Sequence, residues 1–272
     1  MERKINRKKI KTILLIIIAG VIAFQAWSLN IAWKMNWEVR FADGREAVEK
    51  YLELPWNVNV IVPGPLFESS GGSTPLGMAC FYKKYYAVEA LLEKGANPNF
   101  GDRNVYPPIS ETFSGVNPGD IDEAMKIADL LFEYGVDIDN MPAELSPLCA
   151  FGNRTGDFKT DEEKKKYLQV VKYLVEKGAM VEGVELIYSA SLGNHFELVK
   201  YLVEDIGMKE FAGRDEAAVS AAVREGSYEL VAYLLEHGFD ATAQVPFGKT
   251  PLEDAEENND EAMIELLKRY ID

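Results

Sequence analysis

Apolar residues recur three and four positions apart in five short stretches of the chain. Val171-Lys172-Tyr173-Leu174-Val175-Glu176 reappears unchanged as Val199-Lys200-Tyr201-Leu202-Val203-Glu204. Val231-Ala232-Tyr233-Leu234-Leu235-Glu236 is a third copy. Val88-Glu89-Ala90-Leu91-Leu92-Glu93 and Ala128-Asp129-Leu130-Leu131-Phe132-Glu133 are looser ones. This spacing places the apolar side chains on one face of a helix. Gly95, Gly135, Gly178 and Gly238 each follow two residues after the closing Glu, where a glycine suits the left-handed cap of a helix end. In the remaining copy Gly207 arrives one residue late.

A second signature lies upstream. Thr74-Pro75-Leu76, Ser146-Pro147-Leu148 and Thr250-Pro251-Leu252 each predict a helix start, and Pro107-Pro108-Ile109 is a degraded copy. A hydroxyl side chain caps the first turn, and proline suits the first helical position because its missing N–H would be unpaired there. Between Ala190–Leu202 and Ala222–Leu234 the two signatures align without a gap, at a spacing of 32 residues.

Self-similarity at such a period marks a stack of helical repeats. The Thr-Pro-Leu openings, the paired-Leu helix and the endings Gly95-Ala96-Asn97-Pro98-Asn99 and Gly135-Val136-Asp137-Ile138-Asp139 resemble the ankyrin repeat family over roughly 73–272. The resemblance implies an all-α solenoid of about six repeats, with unit boundaries near 73–105, 106–145, 146–182, 183–214, 215–248 and 249–272. Residues 41–72 read as a divergent first unit whose surviving helix is Asp43–Leu52, followed by the breakers Pro63-Gly64-Pro65 and Gly71-Gly72. The charged last unit suits a polar cap on a stack. Two units carry long connections, Ser114–Asp120 and Gly152–Thr160, which are either binding elements or tolerated insertions.

One segment follows a different pattern. Thr12–Trp33 runs for 22 residues without a charge, behind a flank dense in Lys and Arg. As a helix it reaches about 33 Å, enough to cross a hydrocarbon core. Trp27 and Trp33 sit where interfacial aromatics belong. The basic flank keeps the N-terminus in the cytoplasm and places the body outside. The expected organisation is a basic flank at 1–11, a transmembrane anchor or signal segment at 12–33, a linker and capping unit at 34–72, and the repeat domain at 73–272. The competing reading is a cleaved signal peptide, with Val21-Ile22-Ala23 as the cleavage candidate and a secreted or periplasmic product.

Charge sharpens the picture of the body. Residues 1–34 hold seven bases and one acid, which leaves 43 acids against 22 bases on the rest, a net −21. A body that acidic repels phosphate backbones, so nucleic acid is not an expected partner. It is either a solvated surface or a face that steers a basic protein. Cys80 and Cys149 are the only cysteines, and neither follows the apolar segment closely enough for a lipid-modified cysteine. One whole unit separates them, so two buried thiols are expected rather than a disulfide.

No catalytic constellation emerges. His195 precedes a predicted helix and His237 ends one, and neither has spaced acid–base partners. Gly71-Gly72 lacks the lysine of a phosphate loop. Asp161-Glu162-Glu163 opens a helix, where acids complement the dipole; the spaced oxygen ligands of a calcium loop are missing. No enzyme activity, cofactor, metal or small-molecule substrate is expected.

The resemblance to ankyrin repeats implies that partners contact the tips joining units, here Asn97–Tyr106, Asp137–Ser146, Met180–Gly183 and Asp240–Lys249. Phe100, Arg103, Tyr106 and Phe247 are the expected partner-binding anchors, with Met141 in a third tip; the competing reading packs these side chains on neighbouring tips. The expected function is a non-enzymatic protein–protein interaction module outside the cytoplasmic membrane, in a specific version an immunity-type inhibitor or adaptor. The alternative is a regulatory or docking subunit of an envelope enzyme.

Overall fold

The computed structural model describes residues 7–41, 46–62, 72–101, 105–139, 141–152, 155–181, 185–208, 217–243 and 248–271. They fall into two compact units, Met1–Thr112 with Lys126–Val136, and Phe113–Met125 with Asp137–Asp272. The expected all-α repeat fold is observed. Paired helices follow one another: α1 (Arg7–Phe41) with α2 (Glu46–Leu52), α3 (Pro75–Phe81) with α4 (Tyr85–Glu93), α5 (Pro108–Phe113) with α6 (Ile121–Glu133), α7 (Pro147–Gly152) with α8 (Asp161–Glu176), α9 (Leu186–Leu192) with α10 (Phe196–Lys200), α11 (Ala218–Arg224) with α12 (Tyr228–Glu236), and α13 (Pro251–Glu257) with α14 (Glu261–Ile271).

The helical phase read from the pattern holds. Leu174, Leu202 and Leu234 are buried with Val171, Val199 and Val231, while Lys172 and Lys200 are exposed. The late Gly207 has a physical cause. After α10 the helix widens into a π-turn at Tyr201–Asp205, where the Ile206 N–H donates to the Tyr201 carbonyl at 3.2 Å. That turn absorbs the extra residue and returns the chain to phase.

In the first unit, α1 packs against α2 and α3, and α2 packs against α4. The helix is longer than the uncharged stretch and continues from Trp33 to Phe41. Ser28, Ile31, Ala32, Met35, Asn36 and Val39 are buried against the unit, whereas every residue from Lys11 to Trp27 is exposed. The last third of α1 therefore takes the place of a first helix in a capping repeat, with α2 as its second. In the second unit, α9 packs against α11, α11 against α13, and α12 against α14.

The two long connections are anchored in the second unit. Val116 and Phe158 are buried, and Phe158 joins an aromatic cluster with Phe151 (5.8 Å between centroids) and Tyr167 (4.9 Å). Thr160 then starts α8 with a capping box shared with Glu163. Both cysteines are free; Cys80 is buried as expected, but Cys149 is only half-buried, on the short helix α7.

Candidate functional site

The tips are built by a recurring device. An Asx side chain turns the backbone, and at Asn97, Asp137 and Asp240 the preceding helix ends on a glycine in the left-handed region (Gly95, Gly135, Gly238). In the first unit the Asn57 Oδ1 accepts the Asn59 N–H at 3.1 Å, and the Asn97 Oδ1 accepts the Asn99 N–H at 3.0 Å. In the second, the Asp137 Oδ1 accepts the Asp139 N–H at 3.2 Å, and the Asp240 Oδ1 accepts the Thr242 N–H at 2.7 Å. Side chains of this type mimic a backbone turn.

The residue two positions on reaches the neighbouring repeat. Asn59 Oδ1 accepts the Asn97 N–H at 2.8 Å, and Asn99 Nδ2 donates to the Gly135 carbonyl at 2.9 Å. Asp139 approaches Gly178 so closely that a β-carbon there would lie 1.9 Å from Asp139 Oδ1. With φ at +99°, Gly178 is required twice, by its conformation and by that contact. The structure thus adds a tip that the sequence reading did not separate, Asn57–Asn59. Its signal was an Asn-x-Asn spaced 40 residues before Asn97 and Asn99.

Of the expected anchors, Tyr106 is 39% exposed and Phe100 is half-buried at its tip. Arg103 and Phe247 lie outside the described residues, as does part of each of the four tips. Met141 is withdrawn as an exposed anchor: it is buried, at 8% exposure. The histidines have packing roles. His195 is buried with its ring 5.1 Å from Tyr167, and His237 caps α12 with Nδ1 2.8 Å from the Tyr233 carbonyl. Among the described residues no group of His, Cys, Asp and Glu is arranged to hold a metal ion.

One titratable group escaped the sequence reading. Glu111 on α5 is 7% exposed, and burial pushes its carboxyl up to about 7, against a smaller opposing pull from Lys83. Its neighbours are polar and buried as well: Ser73, Thr74, Ser110 and Thr112. Gly77 packs against the same group: a β-carbon there would lie 2.6 Å from Ser73 Oγ, too close, and 3.7 Å from Glu111 Cγ, an ordinary contact.

Comparisons with known proteins agree with this architecture. The sequence profile for ankyrin repeats in three copies matches residues 186–272, and the profile for a single ankyrin repeat matches residues 71–103. The two repeats with long connections lie between the matched segments. No curated protein matches the sequence. Among solved structures, the human ASB11 ankyrin repeat domain superposes with a TM-score of 0.60, covering 87% of this chain and 96% of that one at 17% identity. At that identity the likeness establishes the fold.

Proposed function

We propose that this ankyrin repeat domain protein is a non-enzymatic interaction module, displayed outside the cytoplasmic membrane on an uncleaved α1. The observation that carries the anchor is the contrast along α1: Thr12–Trp27 is uncharged and exposed on all sides, while from Ser28 onward the same helix buries one face, at Ser28, Ile31, Ala32, Met35, Asn36 and Val39. Exposed apolar surface of that length is costly in water and favourable in lipid.

The partner is a protein, and the acidic body suits a basic one by electrostatic complementarity. An immunity-type inhibitor or adaptor for an envelope or secreted protein fits that chemistry. Phe100, Arg103, Tyr106 and Phe247 are its proposed anchors, since aromatic side chains and Arg supply large contact area and directional hydrogen bonds.

Capture from the intact envelope tests the reading, with the parent chain and the fourfold Ala variant of those anchors side by side. The expected result is one basic protein retained by the parent and weakened more than about tenfold in the variant, each tenfold being about 1.4 kcal/mol. Equal retention by both would remove the anchors. A reporter active only outside the cytoplasm, fused after Asp272, should work; activity of a cytoplasm-only reporter there would overturn the topology.

A further inference from the structure

The anchor and the first unit share a stretch of chain. The uncharged run ends at Trp33, yet α1 is already packed against the unit at Ser28. The exposed part, Lys11–Trp27, gives about 26 Å of helix, slightly less than the roughly 30 Å of a hydrocarbon core. No spacer remains between membrane and repeats.

Hydrogen bonds show which end of the unit meets α1 at that point. The Asn57 N–H donates to Ser28 Oγ at 3.0 Å, and Asn57 Nδ2 donates to Gln25 Oε1 at 3.5 Å. About 18 Å further along the helix, the Arg40 guanidinium lies over the Tyr82 ring at 5.7 Å, at the turn between α3 and α4. So α1 runs alongside α3 with the tips at its membrane end. The tip row starts on α1 at Gln25 and Ser28 and continues through the Asn59–Asn97 and Asn99–Gly135 bonds.

We propose that the tip edge of the first unit is seated in the phospholipid headgroup layer of the membrane that α1 spans. This rests on the anchor reading above. Wherever between Trp27 and Trp33 the hydrocarbon boundary falls, the level of Gln25 and Ser28 lies at or inside the interface. The tip chemistry fits. Asn57, Asn59, Asn97 and Asn99 are neutral amides, whereas the corresponding positions of two second-unit tips are Asp137, Asp139 and Asp240, with Thr242 the neutral exception. A neutral amide edge enters the headgroup layer without a charge to desolvate, while a carboxylate is repelled by phosphate and resists leaving water. Asp102 and Arg103, in the same tip, cancel in formal charge and lie outside the described residues. A partner that uses Phe100 must then itself lie at the bilayer.

The full chain reconstituted in phosphatidylcholine vesicles provides the test, with a photoreactive benzophenone side chain placed singly at Leu15, Asn99 or Tyr86. Tyr86 is exposed at the end of the first unit away from the tips. After illumination, phospholipid adducts are quantified by mass spectrometry. The seating predicts adducts at Leu15 and Asn99 and several-fold fewer at Tyr86. Adducts at Leu15 with Asn99 no higher than Tyr86 would overturn the seating and leave the anchor intact. No adduct at Leu15 would overturn the anchor, and the seating with it.

Discussion

Thr74-Pro75-Leu76 in the first unit and Thr250-Pro251-Leu252 in the second open helices with the same three residues, but in different surroundings. Thr74 is buried, and its Oγ1 accepts a single N–H, from Gly77 at 3.0 Å. Thr250 is part-exposed and sits in a reciprocal box: it accepts from the Glu253 N–H at 3.2 Å, and Glu253 Oε2 accepts from the Thr250 N–H at 2.8 Å. The interiors differ as well. Behind Thr74 lie Ser73, Ser110, Glu111 and Thr112; on the helix that Thr250 opens, Asp254 is buried and accepts from Arg224 at 2.8 Å, while elsewhere the second unit buries Phe113, Phe151, Phe158 and Tyr167. Tyr167 stacks on Phe151 at 4.3 Å and donates its hydroxyl to the Phe151 carbonyl at 3.3 Å. One repeat plan accepts both interiors because the leucine face of its second helices is common to both. The variable part lies in the first helices and their caps, in the connection that carries Phe158 and, at Tyr167, on a second helix.

The largest effect that tests this division is expected in the aromatic interior. Phe151→Ala removes a ring that meets Phe113, Phe158 and Tyr167, and should cost about 3–5 kcal/mol through lost burial and a cavity. Leu202→Ala, on the shared leucine face, should cost about 2–5 kcal/mol. Lys200→Ala, exposed on the same helix, should stay within about 0.5 kcal/mol. Chemical denaturation measures all three. If Lys200→Ala proved more damaging than Leu202→Ala, the helical phase would be wrong.

The polar interior should show itself through pH. Glu111 has a folded pKa of about 7 against an ordinary value of 4.5. Because the folded value is the higher one, the native state holds the proton more tightly. Stability from this group is complete below pH 4.5 and is lost as pH rises through about 7. At about 1.4 kcal/mol per pH unit, the loss amounts to at most about 3 kcal/mol. Glu111→Gln keeps the shape and removes the titration. Denaturant midpoints at pH 5 and pH 8 should differ for the parent and converge for the variant, with the variant the more stable at pH 8. A parent midpoint unchanged between the two pH values would refute the buried, titrating carboxyl.

What the sequence disclosed, and what it hid, follows from the range of each interaction. The second-helix faces, the glycine ends and the Asx turns are local, so spacing exposes them; the late Gly207 even marked the π-turn. The far end of α1 was hidden because loss of the uncharged run at Lys34 signals the end of a lipid-compatible stretch, not the end of a helix. Met35 and Val39, four apart, carry the buried face onward. Glu111 was hidden for a tertiary reason: an acid in a short helix reads as surface, and only the packing of distant segments around α5 buries it. Met141 failed in the opposite direction, since a methionine in a tip reads as exposed while the fold buries it. Arg103 and Phe247 rest on the repeat resemblance alone.

The smallest effect returns to the paired caps and isolates their surroundings from their sequence. Thr74→Ala deletes the only side-chain acceptor for the Gly77 N–H, and the site is shut off from water. The cost should combine the lost cap with an unsatisfied buried donor, about 1–3 kcal/mol. Thr250→Ala deletes the same oxygen at a site that water reaches, and the Glu253 carboxylate still accepts the N–H at position 250. Its cost should be the smaller of the two. The box adds a second difference. Hydrogen bonds from the Thr250 backbone and then its side chain hold the Glu253 carboxyl below its ordinary value. Its contribution is therefore present above pH 4.5 and fades as pH falls below that. Thr250→Ala should lose part of that acid sensitivity, whereas Thr74→Ala should leave it unchanged. Melting temperatures of both variants at pH 7 and pH 3.5 read the contrast. Equal penalties at pH 7 would mean that burial does not distinguish the two caps, and the division between the two interiors would then stop short of the helix starts.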